Sequence, residues 1–212
     1  MKDTQLQMED IDFEKIQQKE VKKLIETQIK DGVSTFDGLH ETYYSGEDIS
    51  KHRIHEKIFL LEVPLEVAWK QYMITDPSKA WNGNMITFAL MVSGKSNEIF
   101  YPGEKYNTVE VGQIFYLSLN IFASIVKVAV SHKIIGIDHT NKIMTLSYVA
   151  GGETIGKQDI KLTQTADGKT KITHTTYYRG KSEFREKYLY PFFHTRAVKE
   201  FHSNIRNSFK QE

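Results

Sequence analysis

The chain has 212 residues and no cysteine, and its 28 lysine and arginine residues against 27 aspartate and glutamate residues give a formal net charge of +1. The absence of cysteine excludes a disulfide-braced scaffold, thiolate catalysis and any metal site with a cysteine ligand. The neutral charge balance argues against a nucleic-acid binder, because such proteins carry an overall basic field. With 40% hydrophobic residues, the composition indicates a globular chain that buries a large core.

The sequence predicts neither a targeting signal nor a membrane span. Its first thirty residues carry acids and amides where a secretory signal would have a cationic start and an apolar stretch. The most apolar region, residues 115–130, is interrupted by polar side chains and lacks the roughly 18 unbroken apolar residues of a spanning helix. We therefore expect a cytoplasmic protein.

The N-terminal part has the pattern of a helix followed by a loop. Residues 1–31 combine acidic residues near the start with apolar residues mostly on one side and a glycine at the end, which predicts a helix. The next twenty residues are rich in Gly, Ser, Thr and Asp and predict a loop. We place a boundary near Ser50, which makes residues 1–50 an N-terminal extension and residues 51–212 the main domain.

The main domain begins with a strand and helices and continues as a meander. The segment 52–63 is predicted as a strand, and Pro64 begins a helix that ends in a turn at Asp76-Pro77. From residue 113 onward, apolar residues alternate with polar ones in successive segments joined by hairpin-like turns. This alternation predicts antiparallel strands that each have one solvated face.

The last part of the chain is predicted as a long helix. Val198, Phe201 and Ile205 recur at helical spacing, and Pro191 predicts a break near Tyr190 with the main helix beginning at the proline. About nineteen residues at 1.5 Å each give a rod of roughly 28 Å, which is long enough to cross a sheet. The predicted fold class is therefore α+β, with an antiparallel sheet and a long helix covering each other.

Three stretches of sequence resemble a known superfamily. They are His52–Trp69 with its strand and proline-initiated helix, Asp76–Trp81, and Lys133–Asp138 followed by Met144–Tyr148, which looks like a central hairpin. On these stretches and the order of elements, residues 52–209 resemble the START-like helix-grip superfamily (SRPBCC), which includes the birch-pollen allergens and lipid-transfer domains. The first 50 residues fall outside the resemblance.

The resemblance implies a curved sheet gripping the last helix, with a cavity between them that holds a small apolar or amphipathic molecule. The superfamily includes carriers, receptors, cyclases and oxygenase domains, so its fold leaves the function open. We expect binding of a lipid, polyketide or aromatic molecule without a cofactor. One alternative is an enzyme of this fold, a cyclase, dehydratase or hydrolase with a cavity histidine or tyrosine. Another is a protein-interaction module that uses the N-terminal helix.

Histidines and aromatic residues supply the candidate ligand contacts. His132 and His174 stand on the apolar faces of two strands, where they either meet a ligand or are hydrogen-bonded core histidines. Aromatic rings cluster on the last strands and at the start of the final helix, where rings would give contact and hydroxyls orientation. The candidate ligand-binding residues are His132, Tyr148, His174, Tyr178, Tyr188 and Phe192.

No metal site is predicted, because the histidine spacings do not suit one. His194 and His202 are eight positions apart, close to 12 Å along a helix, which is too far for one ion. His52 and His55 face opposite sides if they lie on a strand. The sequence also lacks a complete phosphate-binding loop, so neither a metal nor a nucleotide is expected.

Charge is distributed unevenly along the chain. Residues 1–50 contain six basic and twelve acidic residues, whereas residues 179–210 contain eight basic and three acidic ones. Opposite charges of this kind can dock two parts of a chain or two subunits. We therefore expect the apolar face of the N-terminal helix to pack on the final helix, or to form a homodimer beside it.

Overall fold

One antiparallel sheet of eight strands forms the centre of the computed structural model, which describes residues 6–44, 46–104, 106, 108–121, 126–180 and 182–209. The strands are β1 (Arg53–Leu61), β2 (Ile86–Ser93), β3 (Glu98–Phe100), β4 (Ile114–Ile121), β5 (Val126–Asp138), β6 (Ile143–Tyr148), β7 (Thr154–Gln164) and β8 (Thr170–Gly180). Their order in the sheet is β1-β8-β7-β6-β5-β4-β2-β3. The predicted meander is therefore the run from β4 to β8, with β1 added beside β8.

The described part of the chain contains four α-helices. They are α1 (Lys19–Lys30), α2 (Leu65–Ile74), α3 (Pro77–Ala80) and α4 (Tyr190–Ser208). The Asp76 carboxylate accepts a hydrogen bond from the N–H of Ser78 at 2.8 Å and so caps α3. Among the described residues, no helix has both the length and the apolar character needed to cross a membrane.

The long helix α4 packs across one face of the curved sheet and closes the main core. Its residues Ala197, Phe201 and Ile205 are buried against the inward side chains of the strands. The ring of Phe201 stacks on Trp81 with centroids 3.9 Å apart. The predicted α+β helix-grip architecture is confirmed, because sheet and helix cover each other's apolar surfaces.

The break predicted near Tyr190 does not occur. The chain runs from a π-helical segment, Arg185–Leu189, directly into α4. Pro191 lies just after this segment, in the first turn of α4, where its missing N–H does the least harm. The wider π-helical turn thus lets one continuous helix contain the proline, so the prediction of a separate helix beginning at Pro191 was wrong.

The predicted N-terminal helix is shorter than expected. Its first five residues lie outside the described part of the chain, and two short 3-10 turns, Met8–Asp10 and Phe13–Lys15, precede α1. The apolar side chains of this extension form a second core with residues of β2 and β4, including Leu90 and Tyr116. Along β2 and β4, residues of the main core alternate with residues of this second core, and alternate residues of a strand point to opposite faces. The extension therefore covers the face of the sheet opposite to α4.

The expected docking of the N-terminal helix on the final helix is therefore wrong. The contact is apolar at its centre, and Gln28 completes it by donating to the carbonyl of Ala150 and accepting from the Tyr116 hydroxyl, both at 2.9 Å. Burial of Val21 and Ile25 against the sheet outweighs the attraction between distant surface charges. A homodimer through this helix stays a prediction, and the sheet of the same chain already occupies the apolar face of α1.

Candidate functional site

A cavity of about 250 Å³ lies between the sheet and the start of α4. Its apolar wall consists of Trp81, Ile86, Leu119, Ile121, Val126, Val128, Val130, Leu189, Phe193, Ala197 and Val198. The inward positions of β5 are short, branched valines, which do not reach across to the helix as larger side chains would. The space follows from a curved sheet whose small inward residues face the helix α4.

One end of the cavity is polar. The side chains there are His132 from β5, Tyr148 from β6, Gln158 from β7, and Tyr190 and His194 from α4. His132 is the register partner of Tyr148 in neighbouring strands, so both project to the same side of the sheet. An amphipathic molecule would therefore meet apolar surface over most of its length and hydrogen-bonding groups at one end.

A chain of buried hydrogen bonds leads from this polar end into the core. Nε2 of His132 lies 2.7 Å from Nε2 of Gln158, and the Gln158 carbonyl lies 2.7 Å from Nε2 of His174. Nδ1 of His174 lies 2.9 Å from Nε2 of His202, whose Nδ1 lies 2.6 Å from the Tyr72 hydroxyl. These five side chains link strands β5, β7 and β8 with helices α2 and α4.

The hydrogen bonds fix the direction in which protons are donated. Among the described residues, the buried Tyr72 hydroxyl contacts only His202, so the proton of this hydroxyl points at Nδ1 of His202. His202 then donates from Nε2 to His174, and His174 donates from Nε2 to the Gln158 carbonyl. The Gln158 amide in turn donates to Nε2 of His132. If the Gln158 amide were turned by about 180°, the donor and acceptor roles of His174 and His202 would be exchanged, and the Tyr72 proton would have no acceptor.

This direction leaves His132 with its proton on Nδ1. That nitrogen is buried and has no hydrogen-bond partner within the described residues. An unpaired buried donor costs about 1–3 kcal/mol, which an acceptor atom brought close to it would recover. His132 is thus the last side chain in this series of hydrogen bonds, and it lines the cavity.

His194 belongs to a second set of hydrogen bonds. The Thr195 hydroxyl donates to the Pro191 carbonyl at 2.6 Å, so it accepts the proton of His55 Nε2 at 2.9 Å. Nδ1 of His194 then donates to Nδ1 of His55 at 3.1 Å, and the Thr176 hydroxyl approaches Nε2 of His194 at 3.4 Å. This set ties the first turns of α4 to β1 and β8. The two sets meet at Gln158, whose carbonyl lies 3.3 Å from Nε2 of His194.

All five histidines of the two sets are neutral at physiological pH. Burial lowers the pKa of His55 and His132 to about 4 and that of His174 to about 3, and the nearby Lys57 lowers the His55 value further. The pKa values of His194 and His202 lie well below the ordinary value, again mainly through burial. A low-dielectric interior penalises the charged imidazolium form, and among the described residues no carboxylate raises the pKa of these five histidines.

The two tyrosines of the polar end form a hydrogen-bonded pair. The hydroxyls of Tyr148 and Tyr190 bond to each other, and burial raises the pKa of both well above the ordinary value. The Tyr190 ring stacks between Tyr178, at a centroid distance of 3.8 Å, and His194, at 4.9 Å. The polar end therefore presents neutral hydroxyl, amide and imidazole groups, and the charged side chains of Arg185 and Glu153 also line the cavity.

The candidate residues from the sequence fall into three places. His132 and Tyr148 line the cavity, whereas His174 lies behind it in the hydrogen-bond chain. Tyr178 is buried one layer away, where it stacks on Tyr190. Tyr188 and Phe192 were expected in the cavity, but they are 55% and 50% exposed, because helical rotation turns them to the outer face.

Sequence reasoning missed three residues of the polar end. Gln158 lies two residues before the buried Ile160 on β7, so the alternation of the strand predicts that Gln158 also points into the core. A single glutamine does not by itself indicate a ligand site. His194 lies in apolar surroundings and Tyr190 belongs to the aromatic cluster at the start of the final helix, but neither was among the candidate ligand-binding residues. Within the described ranges, no group of three or more metal-binding side chains is placed to hold one ion.

Comparisons with known proteins support the fold alone. No family model and no curated protein matches the chain. Norcoclaurine synthase from Thalictrum flavum, in complex with dopamine and hydroxybenzaldehyde, matches with a TM-score of 0.55 and 14% identity over 80% of this chain and 96% of that one. Ginseng major latex-like protein 151 from Panax ginseng matches at 0.52 and 13%, over 74% and 96%.

Ara h 8.0201 matches with a TM-score of 0.50 and 15% identity, over 76% of this chain and 99% of that one. These structures share the helix-grip architecture of the START-like superfamily. The resemblance noted in the sequence is therefore confirmed at the level of the fold. The chain is a helix-grip protein with an internal cavity that has apolar walls and one polar end.

Proposed function

We propose that this protein binds one compact, mostly apolar molecule in the cavity, with a hydroxyl or carbonyl group of that molecule at the polar end. The observation that carries the proposal is the division of the cavity into an apolar wall and a hydrogen-bonding end. Burial of an apolar ligand against such a wall supplies affinity, and a few polar groups supply orientation.

The size of the cavity favours a ring-sized ligand. Small-molecule pockets usually span roughly 300–1,000 Å³, and this cavity of about 250 Å³ lies just below that range. An aromatic molecule of one or two rings, or one short acyl chain, is a better match than a two-chain lipid. Norcoclaurine synthase, which shares the fold, forms a complex with dopamine and hydroxybenzaldehyde, two one-ring molecules of this size class.

The catalytic alternative has weaker support. An enzyme of this fold would need His132 or His194, both at the cavity, to take up a proton from the substrate. A histidine whose pKa is about 4, such as His132, is a weak base at neutral pH, because efficient proton transfer needs a pKa near the working pH. His174 was the other catalytic candidate, and its ring does not line the cavity.

Titration with a fluorescent naphthalene dye tests the proposal. We expect saturable binding at one site per chain, and at least about tenfold weaker binding in Val128→Phe, whose larger ring fills the cavity. Val67→Phe is the matched control, because Val67 is 48% exposed on α2. Ala197→Leu fills the cavity from the helix side if the first variant fails to fold. Absence of saturable binding, or equal affinity in all variants, would overturn the proposal.

A further inference from the structure

A row of exposed aromatic side chains runs along the outside of the helix that closes the cavity. Phe184, Tyr188 and Phe192 are 63%, 55% and 50% exposed. They are four residues apart, so their side chains follow one another along one face, and the rings of Phe184 and Tyr188 are 5.3 Å apart. We call these three residues the aromatic row.

Two cations lie directly on the aromatic row. Nζ of Lys187 is 5.3 Å from the Tyr188 ring, and the guanidinium of Arg196 is 4.1 Å from the Phe192 ring. Within the described residues, neither cation forms an ion pair with a carboxylate. The row therefore combines apolar rings with positive charge that is free to meet an anion.

The acidic residues of the same helical region are engaged elsewhere. Glu183 and Glu186 lie 3.5 Å and 3.1 Å from the Arg53 side chain on β1. The Glu200 carboxylate accepts hydrogen bonds from three backbone N–H groups, at residues 84–86. Glu186 and Glu200 are therefore held by partners on other elements, and Glu183 pairs with Arg53 at the surface. Within the described residues, the charges in contact with the rings of the row are those of Lys187 and Arg196.

The aromatic row adjoins the opening of the cavity. Of the residues that line the cavity, Val126 and Glu153 are exposed, which places the opening near the start of β5 and the π-helical segment. Phe193 lines the cavity, and its ring contacts Phe192 of the row with centroids 5.0 Å apart. One aromatic pair thus connects the cavity wall with the exposed face.

We propose that the aromatic row docks on the surface of an anionic lipid bilayer, from which the cavity takes up its apolar ligand. Phe and Tyr rings flanked by Lys and Arg match the headgroup region, where rings enter the interface and cations meet lipid phosphates. An apolar ligand partitions into bilayers, so an opening beside the docking face shortens its path. The use of docking for ligand uptake rests on the proposed function, whereas docking itself does not.

Sedimentation with lipid vesicles tests the docking. We expect the protein to bind vesicles of phosphatidylcholine and phosphatidylserine, and to bind phosphatidylcholine vesicles much less. Binding should weaken when salt rises from about 0.1 M to about 1 M, because the Debye length falls from about 10 Å to about 3 Å. The charge reversal Lys187→Glu with Arg196→Glu should lower the partition coefficient at least about tenfold.

A matched pair of triple variants separates the aromatic row from general hydrophobicity. Phe184→Ser with Tyr188→Ser and Phe192→Ser should lower vesicle binding at least about tenfold. The control changes Ile54, Ile58 and Leu60 of β1 to Ser; these are 65%, 58% and 53% exposed and lie on another face. Equal vesicle binding by the two triple variants, or no binding by the unmodified chain, would overturn the inference.

Two further measurements keep the outcomes distinct. Dye titration without vesicles should give the same affinity in the aromatic-row variant, because none of its three residues lines the cavity. If no variant and not even the unmodified chain binds the dye, while vesicle binding is intact, the result contradicts the proposed function but not membrane docking. A dimer in light scattering that the aromatic-row variant abolishes, without vesicle binding, would assign the row to a second copy of the chain and contradict membrane docking.

Discussion

His174 on strand β8 and His202 on helix α4 share a hydrogen bond of 2.9 Å in the middle of the core. Their side chains are 1% and 0% exposed. This bond joins the sheet to the gripping helix at a point where apolar packing alone would leave two polar rings unpaired. Because each ring nitrogen has a defined donor or acceptor role, the bond fixes the helix in one orientation over the sheet.

We expect His174→Leu to destabilise the fold strongly. Leucine would remove the 2.7 Å hydrogen bond to the Gln158 carbonyl and the partner of Nε2 of His202, and each unpaired buried polar group costs about 1–3 kcal/mol. Urea unfolding should show a loss of about 2–5 kcal/mol in the free energy of unfolding. His40→Leu is the control, because His40 is exposed. A loss below about 1 kcal/mol for His174→Leu would contradict the structural role of the network.

The free energy of unfolding should fall steeply as the pH drops from 6.5 towards 4. Folded His55 and His132 have pKa values of about 4, below the ordinary 6.5, so the unfolded chain takes up protons that the folded chain does not. The stability they contribute is present above pH 6.5 and is lost as the pH falls through this window. Each such histidine contributes a slope of about 1.4 kcal/mol per pH unit.

Urea unfolding across this pH range measures the slope, and His132→Gln should make it shallower by the share of one histidine. Glutamine retains an acceptor for the Gln158 amide but does not titrate, so the effect isolates one proton. A slope that does not change in the variant would show that His132 has the same pKa in the folded and the unfolded chain. Equal stability at both ends of the window would contradict neutral histidines throughout the network.

The N-terminal extension should stabilise the protein through apolar packing that salt does not weaken. Ile25 is fully buried against the sheet, so Ile25→Ala should lower the free energy of unfolding by about 2–5 kcal/mol. The loss should be the same at low and high salt. Ile74→Ala, at a position 41% exposed on α2, serves as the control. A strong dependence of the loss on salt would instead support electrostatic docking.

Gly83 and Glu200 should show strong coupling in a double-mutant cycle. A Cβ atom at position 83 would collide with the Glu200 carboxylate, which holds the N–H groups of Asn84, Met85 and Ile86. Gly83→Ala should therefore cost about 1–3 kcal/mol, because it displaces the carboxylate from backbone donors. In a Glu200→Ala background the same change should cost much less. Additive losses would mean that the turn tolerates a side chain without moving the helix.

The sequence by itself determined the local elements, because their signals are short-range. Alternation of period two marked the strands from β4 to β8, and Pro64 marked the start of a helix. Helical spacing of Val198, Phe201 and Ile205 marked the buried face of α4, and all three are buried. Such patterns record which side of an element faces apolar surroundings, and that is a property of neighbouring residues.

Only the tertiary structure decided which polar residues meet. His55 and His194 are 139 residues apart, and Tyr72 and His202 are 130 apart, yet each pair shares a hydrogen bond. No periodicity reports such contacts, because they depend on sheet order and on the angle at which the helix crosses the sheet.

The tertiary structure also decided the two faces of the final helix and the position of α1. Tyr188 and Phe192 are aromatic residues of the kind that packs in protein cores, but their positions on the helix turn them to the outer face. Phe193 instead faces the cavity. The acidic N-terminal segment does not pack on the basic C-terminal helix. Burial of its apolar side chains on the far face of the sheet gains more free energy than screened surface charges can supply.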